Sequence, residues 1–147
     1  MKNLMIKSML LKLLVVLSAS IFLPAVSGAD IAMVVHKDSS LSSVEMKDVK
    51  LLYLGKRKKI AGIKVIPIAL PDDHATTKKF VNGVLSKTLK QHRGYWARLV
   101  FTGKGSPPVK VRTSAELKKW VSQNTDGIGF IDAKDIDDSV KVTATFK

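Results

Sequence analysis

The chain is 147 residues long, with 25 lysines and arginines against 12 aspartates and glutamates, a formal net charge of +13, and no cysteine. The missing thiol excludes disulfide staples, cysteine nucleophiles and thiolate metal sites. So basic a chain ordinarily points to nucleic acid, but its N-terminal segment argues for another compartment.

Lys2, Lys7 and Lys12 give that segment a positive start, Leu13 to Val26 is an apolar run, and Ser27-Gly28-Ala29 supplies small residues for cleavage. This is the pattern of an export signal over residues 1–29. The run is short for a spanning helix, which needs about 20 residues. It also contains Pro24 and is followed by no basic stop. The expectation is therefore a cleaved signal peptide, a single periplasmic domain over residues 30–147, no stable membrane span, and no nucleic-acid partner. The remaining basic residues are scattered, as in Lys56-Arg57-Lys58-Lys59, Lys78-Lys79 and Lys118-Lys119. Such scatter reads as a solvated surface rather than a binding stripe.

Ile31 to Val35 is a β-rich run that predicts a first, central strand. Ser42 stands three residues before Glu45, the spacing of a capping box. It predicts a helix with Val44, Val49, Leu51, Leu52 and Leu54 on its apolar face and Gly55 at its end. Lys56 to Lys59 reads as an exposed basic loop. Ile63 to Leu70 predicts a buried strand, stopped by Pro71, which has no N–H for a sheet ladder.

Asp72, Asp73, His74, Thr76 and Thr77 then stand where a helix should begin, ahead of Phe80, Val81, Val84 and Leu85 at helical spacing. A strand that turns tightly into a helix leaves backbone N–H groups without partners at the positive end of the helix dipole. That makes the turn a ready anion site. Its candidate residues are His74, Ala75, Thr76 and Thr77: the amides of the last three, the Thr76 hydroxyl, and the His74 ring when protonated.

A second helix is predicted from about Thr88 to Val100, with Leu89, His92, Trp96 and Leu99 on one side. There His92 reads as a packed, hydrogen-bonded histidine and Trp96 as core. Phe101 to Pro108 is a loop without the Lys-Ser or Lys-Thr step of a nucleotide-binding P-loop. Thr113 and Glu116 form another capping box, opening a helix with Leu117, Trp120 and Val121 inward. Ile128 to Ile131 reads as a strand with a close backbone approach at Gly129. Asp132, Asp135, Asp137 and Asp138 lack the glycine and terminal glutamate of a calcium loop and read as a polar turn. Val140 to Phe146 alternates and makes a last strand.

Strands alternate with helices throughout, which predicts an α/β layer fold, a mixed sheet flanked by helices. Catalytic chemistry finds no support in the sequence. His36, His74 and His92 fall on separate elements without metal-ligand spacing, and no serine stands in a nucleophile elbow. No cofactor and no metal site are expected.

Taken together, Ile31-Ala-Met-Val-Val-His-Lys-Asp-Ser-Ser40, Ser43-Val-Glu-Met-Lys-Asp-Val-Lys-Leu-Leu-Tyr-Leu-Gly55, the junction with Phe80 and Leu85, and Asp126-Gly-Ile-Gly-Phe130 resemble the phosphate-binding periplasmic proteins of ABC importers. Tyr95 to Pro108 is similar to the short, single-lobe members of that superfamily. The resemblance implies a single lobe of a type 2 periplasmic-binding protein, and phosphate or a similar oxyanion as ligand. It also implies an ABC permease or another envelope protein as partner. Counting back from Phe80, His74-Ala75-Thr76 falls where the family has Ser-Gly-Thr, so Thr76 keeps its hydroxyl. Leu70 stands where phosphate binders carry an arginine, which removes a bidentate contact. A helix dipole and two or three charged hydrogen bonds in open solvent amount to an affinity on the order of millimolar. The alternative is a non-transport, envelope-associated interaction protein that kept the fold and lost the ligand.

Overall fold

The computed structural model describes residues 31–147; the leader read over residues 1–29 lies outside them. In chain order the elements are β1 (Ile31–Val35), α1 (Met46–Tyr53), β2 (Lys59–Ile60), β3 (Ile63–Lys64) and β4 (Ile66–Ala69). There follow α2 (Ala75–Gly83), α3 (Leu89–Phe101), β5 (Val109–Lys110), α4 (Ser114–Gln123), β6 (Gly127–Asp132), a 3-10 turn (Ala133–Asp135) and β7 (Lys141–Phe146).

Five strands form one sheet in the order β5-β4-β6-β1-β7, while β2 and β3 make a separate hairpin. β4 runs parallel to both β5 and β6, and β1 is antiparallel to both β6 and β7. The sheet is therefore mixed, and the architecture is α/β. β1 lies inside the sheet, but the middle position belongs to β6, because the C-terminal β7 adds outside β1. All five residues of β1 are buried, as a strand covered on both faces requires.

The alternation along β6 shows which helix covers which face. Phe130 stacks on Phe80 of α2 with ring centroids 4.0 Å apart. Gly127 and Gly129 point the other way, toward Trp120 and Leu117 of α4. Successive side chains of a strand leave on opposite faces, so α2 and α4 sandwich the sheet. α1 joins the α2 side through Tyr53, whose ring meets Phe80 and Phe130 edge-on at 4.8 and 5.6 Å. Each such aromatic pair is worth about 0.5–1.5 kcal/mol beyond its buried area.

Several local expectations change. The proposed Ser42–Glu45 capping box does not form: α1 starts at Met46, and its cap residue Glu45 is extended without a side-chain bond. Val44 is held instead by the sheet, its amide donating to the Thr143 carbonyl. The helix does end at Gly55. There φ is +69°, and the amides of Gly55 and Lys56 donate to the carbonyls of Leu52 and Leu51, the paired bonds of a Schellman motif. The strand expected over Ile63 to Leu70 is interrupted. Its first part turns back on Lys59–Ile60 through Ala61 and Gly62, both with positive φ, the geometry of a tight two-residue hairpin. The basic loop is thus partly strand, and Arg57 pairs with Asp48 of α1.

Candidate functional site

The junction between β4 and α2 begins at Leu70, fully buried just after the strand. Pro71 to His74 make a turn closed by the His74 amide on the Pro71 carbonyl at 3.1 Å. His74 is the cap of α2, extended at φ −67° and ψ 134°, and its Nδ1 accepts from the Thr76 amide. An acceptor at Nδ1 is a neutral ring with its proton on Nε2. Ala75 is exposed, whereas Thr76 and Thr77 are 2% and 3% exposed.

The four residues singled out from the sequence are therefore contiguous but not equivalent. The Thr76 amide is occupied by the His74 ring. Among the described residues the amides of Ala75 and Thr77 have no hydrogen-bond partner. No acidic residue stands in the first turn of α2, so the positive end of the dipole is not cancelled from within the helix.

Beside this turn lies a charged cluster that no local pattern reveals. Asp72 accepts from Arg93 Nε of α3 at 3.2 Å and from Lys110 Nζ of β5 at 2.7 Å. Burial alone would raise the Asp72 pKa, but the hydrogen bonds and charges of Lys110 and Arg93 outweigh it and hold the carboxyl below its usual value. The three residues come from a loop, a helix and an edge strand, 21 and 38 positions apart in sequence.

Behind the turn a cavity of about 180 Å³ opens between α2 and α3. Tyr53, Phe80 and Phe130 contribute its aromatic wall, and Asp72, Arg93 and Lys110 line it as well. His92 lines this cavity instead of making the hydrogen bond expected of it, and burial pushes its pKa down, aided by Lys110, Lys87 and Arg93 against the pull of Asp72. Trp96 is buried as expected, at 6% exposed, and its indole covers Gly55.

Among the described residues no three histidines or carboxylates gather closely enough to hold a metal. The acidic turn after β6 spends its carboxylates locally. Asp132 accepts from the Lys134 amide, and Asp137 accepts from Ser139 and pairs with Lys118. No described helix is long and apolar enough to cross a membrane.

No family model matches the sequence, and no curated protein does. Solved structures do match. An ABC-type phosphate transport receptor from Vibrio cholerae superposes with a TM-score of 0.60 at 18% identity, over 77% of this chain and 44% of that one. A protein of Clostridium perfringens, assigned as a phosphate ABC transporter substrate-binding protein and solved with bound phosphate, gives a TM-score of 0.60 at 21% identity, over 78% and 44%. PstS from Borrelia burgdorferi gives 0.59 at 11% identity, over 78% and 46%. The chain thus has the fold of part of these phosphate receptors and spans less than half the length of each.

Proposed function

We propose that this chain is an exported, single-lobe binding module that holds phosphate or a similar oxyanion weakly at the start of α2. The observation that carries the reading is the exposed N-terminus of α2, where the Ala75 amide lacks a partner and the first turn of the helix carries no acidic residue. Support comes from the fold, shared with a phosphate-bound structure. His74 contributes in two states. Its neutral ring ties up the Thr76 amide; protonation would turn both ring nitrogens into donors and release that amide. One open lobe supplies only a few such contacts, so the affinity is on the order of millimolar. The periplasm is the compartment this reading implies, and an ABC permease or envelope protein is the partner.

Calorimetry of residues 30–147 with phosphate and with sulfate tests the proposal, and no heat at several times a millimolar-scale Kd would end it. Ala75→Pro locates the site. Proline at the first helical position removes one N–H that helices do not need, and the extended His74 preceding it has the backbone that proline requires. Binding should fall while the thermal midpoint holds.

A second reading, an interaction protein that kept the fold and lost the ligand, is favoured by two observations. Asp72 already engages two cations beside the turn, Arg93 and Lys110. Phe101, at the end of α3, is 92% exposed, with Val100 and Val109 at 54% and 60%. A pull-down of envelope proteins at low and high salt separates the readings, because an apolar contact survives salt that screens a charged one.

A further inference from the structure

Two residues that line the cavity between α2 and α3 carry buried polar atoms without partners. Among the described residues, Thr77 Oγ1 and Trp96 Nε1 are the buried side-chain polar atoms that make no hydrogen bond, and both residues line this cavity. They stand on different helices, 3% and 6% exposed. Leaving a buried donor or acceptor unpaired costs about 1–3 kcal/mol, and buried groups of this kind are ordinarily satisfied. Two on one cavity mark a place where a ligand atom can complete the bonding.

The chemistry of the lining narrows the ligand. Tyr53 has no O–H proton to offer the cavity, because its one proton is shared between the carbonyls of Ile68 and Ile128 at 2.9 and 3.1 Å. With Phe80, Phe130, Leu70 and Val81 it therefore presents an apolar wall. The cations at the edge, Arg93 and Lys110, are engaged by Asp72, so the cavity does not call for an anion. An indole N–H can only donate, and a threonine hydroxyl can donate or accept. The volume, about 180 Å³, exceeds the roughly 150 Å³ of an engineered apolar cavity that takes up benzene.

We propose that this cavity is a second binding site, separate from the start of α2, for a neutral ring-sized apolar molecule bearing one hydroxyl or carbonyl, held between Thr77 Oγ1 and Trp96 Nε1. Phenol is the smallest probe that has both features, and benzene is the same ring without the polar atom. The site does not depend on the oxyanion reading, and phosphate serves as the independent control.

The test is an NMR titration of residues 30–147 that follows the indole N–H signals, with Trp96→Phe to assign them. Phenol should shift the Trp96 signal saturably, with a Kd on the order of millimolar, and leave Trp120 unmoved. Benzene should bind about 3- to 10-fold more weakly, the worth of one neutral hydrogen bond. Thr77→Val, nearly the same shape, should weaken phenol by a similar factor and spare benzene, while Thr77→Ser should retain phenol. A shift that stays linear to about ten times the millimolar scale, equal binding of phenol and benzene, or equal movement of both indoles would overturn the proposal. So would displacement of phenol by phosphate.

Discussion

A Cβ placed on Gly129 would lie 2.5 Å from Cδ2 of Leu117 and 3.0 Å from its Cγ. Leu117 is fully buried on α4, and its side chain rests on the β6 backbone where any other residue would push it away. Gly129→Ala should therefore destabilise the protein by about 1–3 kcal/mol, the usual cost of overpacking, read as a lower urea midpoint at unchanged slope. Gly94, exposed within α3 with nothing within 4 Å of its would-be Cβ, supplies the opposite sign. Gly94→Ala should stabilise by about 0.5–1 kcal/mol, by relieving the entropy of a helical glycine.

Tyr53 should make stability fall in strong base. Burial pushes its phenol well above the ordinary value of 10.0, against the lowering effect of its bond to Ile68. The unfolded chain then ionises first, so the stability held below the unfolded value is lost as pH rises past it. Tyr53→Phe should flatten this part of the profile, relative to the parent, at a cost near neutral pH of about 0.5–1.5 kcal/mol for the lost hydrogen bond. Urea unfolding across the alkaline range checks both.

Two acid-side losses should separate by pH. Burial, with the nearby Lys110, Lys87 and Arg93, lowers the His92 pKa below 6.5. The unfolded state then takes up the proton first, and stability present above about 6.5 declines as pH falls below it. Asp72 is held down by Lys110 and Arg93 despite its burial. Its contribution is complete above about 3.9 and is lost as pH drops through the lower folded value. Thermal melts should show His92→Gln flattening the first window and Asp72→Asn the second.

Phe101 should matter to a partner and not to the fold. With 92% of its surface exposed, Phe101→Ser should change stability by no more than about 0.5 kcal/mol. If the interaction reading holds, capture of an envelope protein should drop at high salt, where apolar contacts remain. Unchanged capture would remove this residue from the contact surface.

The patterns that proved legible were those written in neighbouring residues. Short apolar runs marked β1 and β6, alternation marked β7, and the spacing of Phe80 and Val81 marked α2. Gly55 marked the end of α1, and Gly129 the close approach of α4. Of the two failures, one has a distant cause and the other a local one. Ser42 and Glu45 have capping-box spacing, yet the Val44 amide is drawn to Thr143 on the distant last strand, so the chain stays extended until Met46. The apolar stretch from Ile63 reads as one strand, but Ala61 and Gly62 fold Ile63–Lys64 back onto Lys59–Ile60.

From the sequence alone came the α/β layering, the resemblance to a phosphate-receptor lobe and the helix start at His74 to Thr77, because each rests on contacts within a few residues. The tertiary structure decided what that helix start has around it. Asp72 met Arg93 and Lys110 across three elements, and Thr77 and Trp96 were left unpaired on a shared cavity. Such groupings arise from the packing of α2 against α3 and of β5 against β4, where residues far apart in sequence meet and local periodicity carries no information about the meeting.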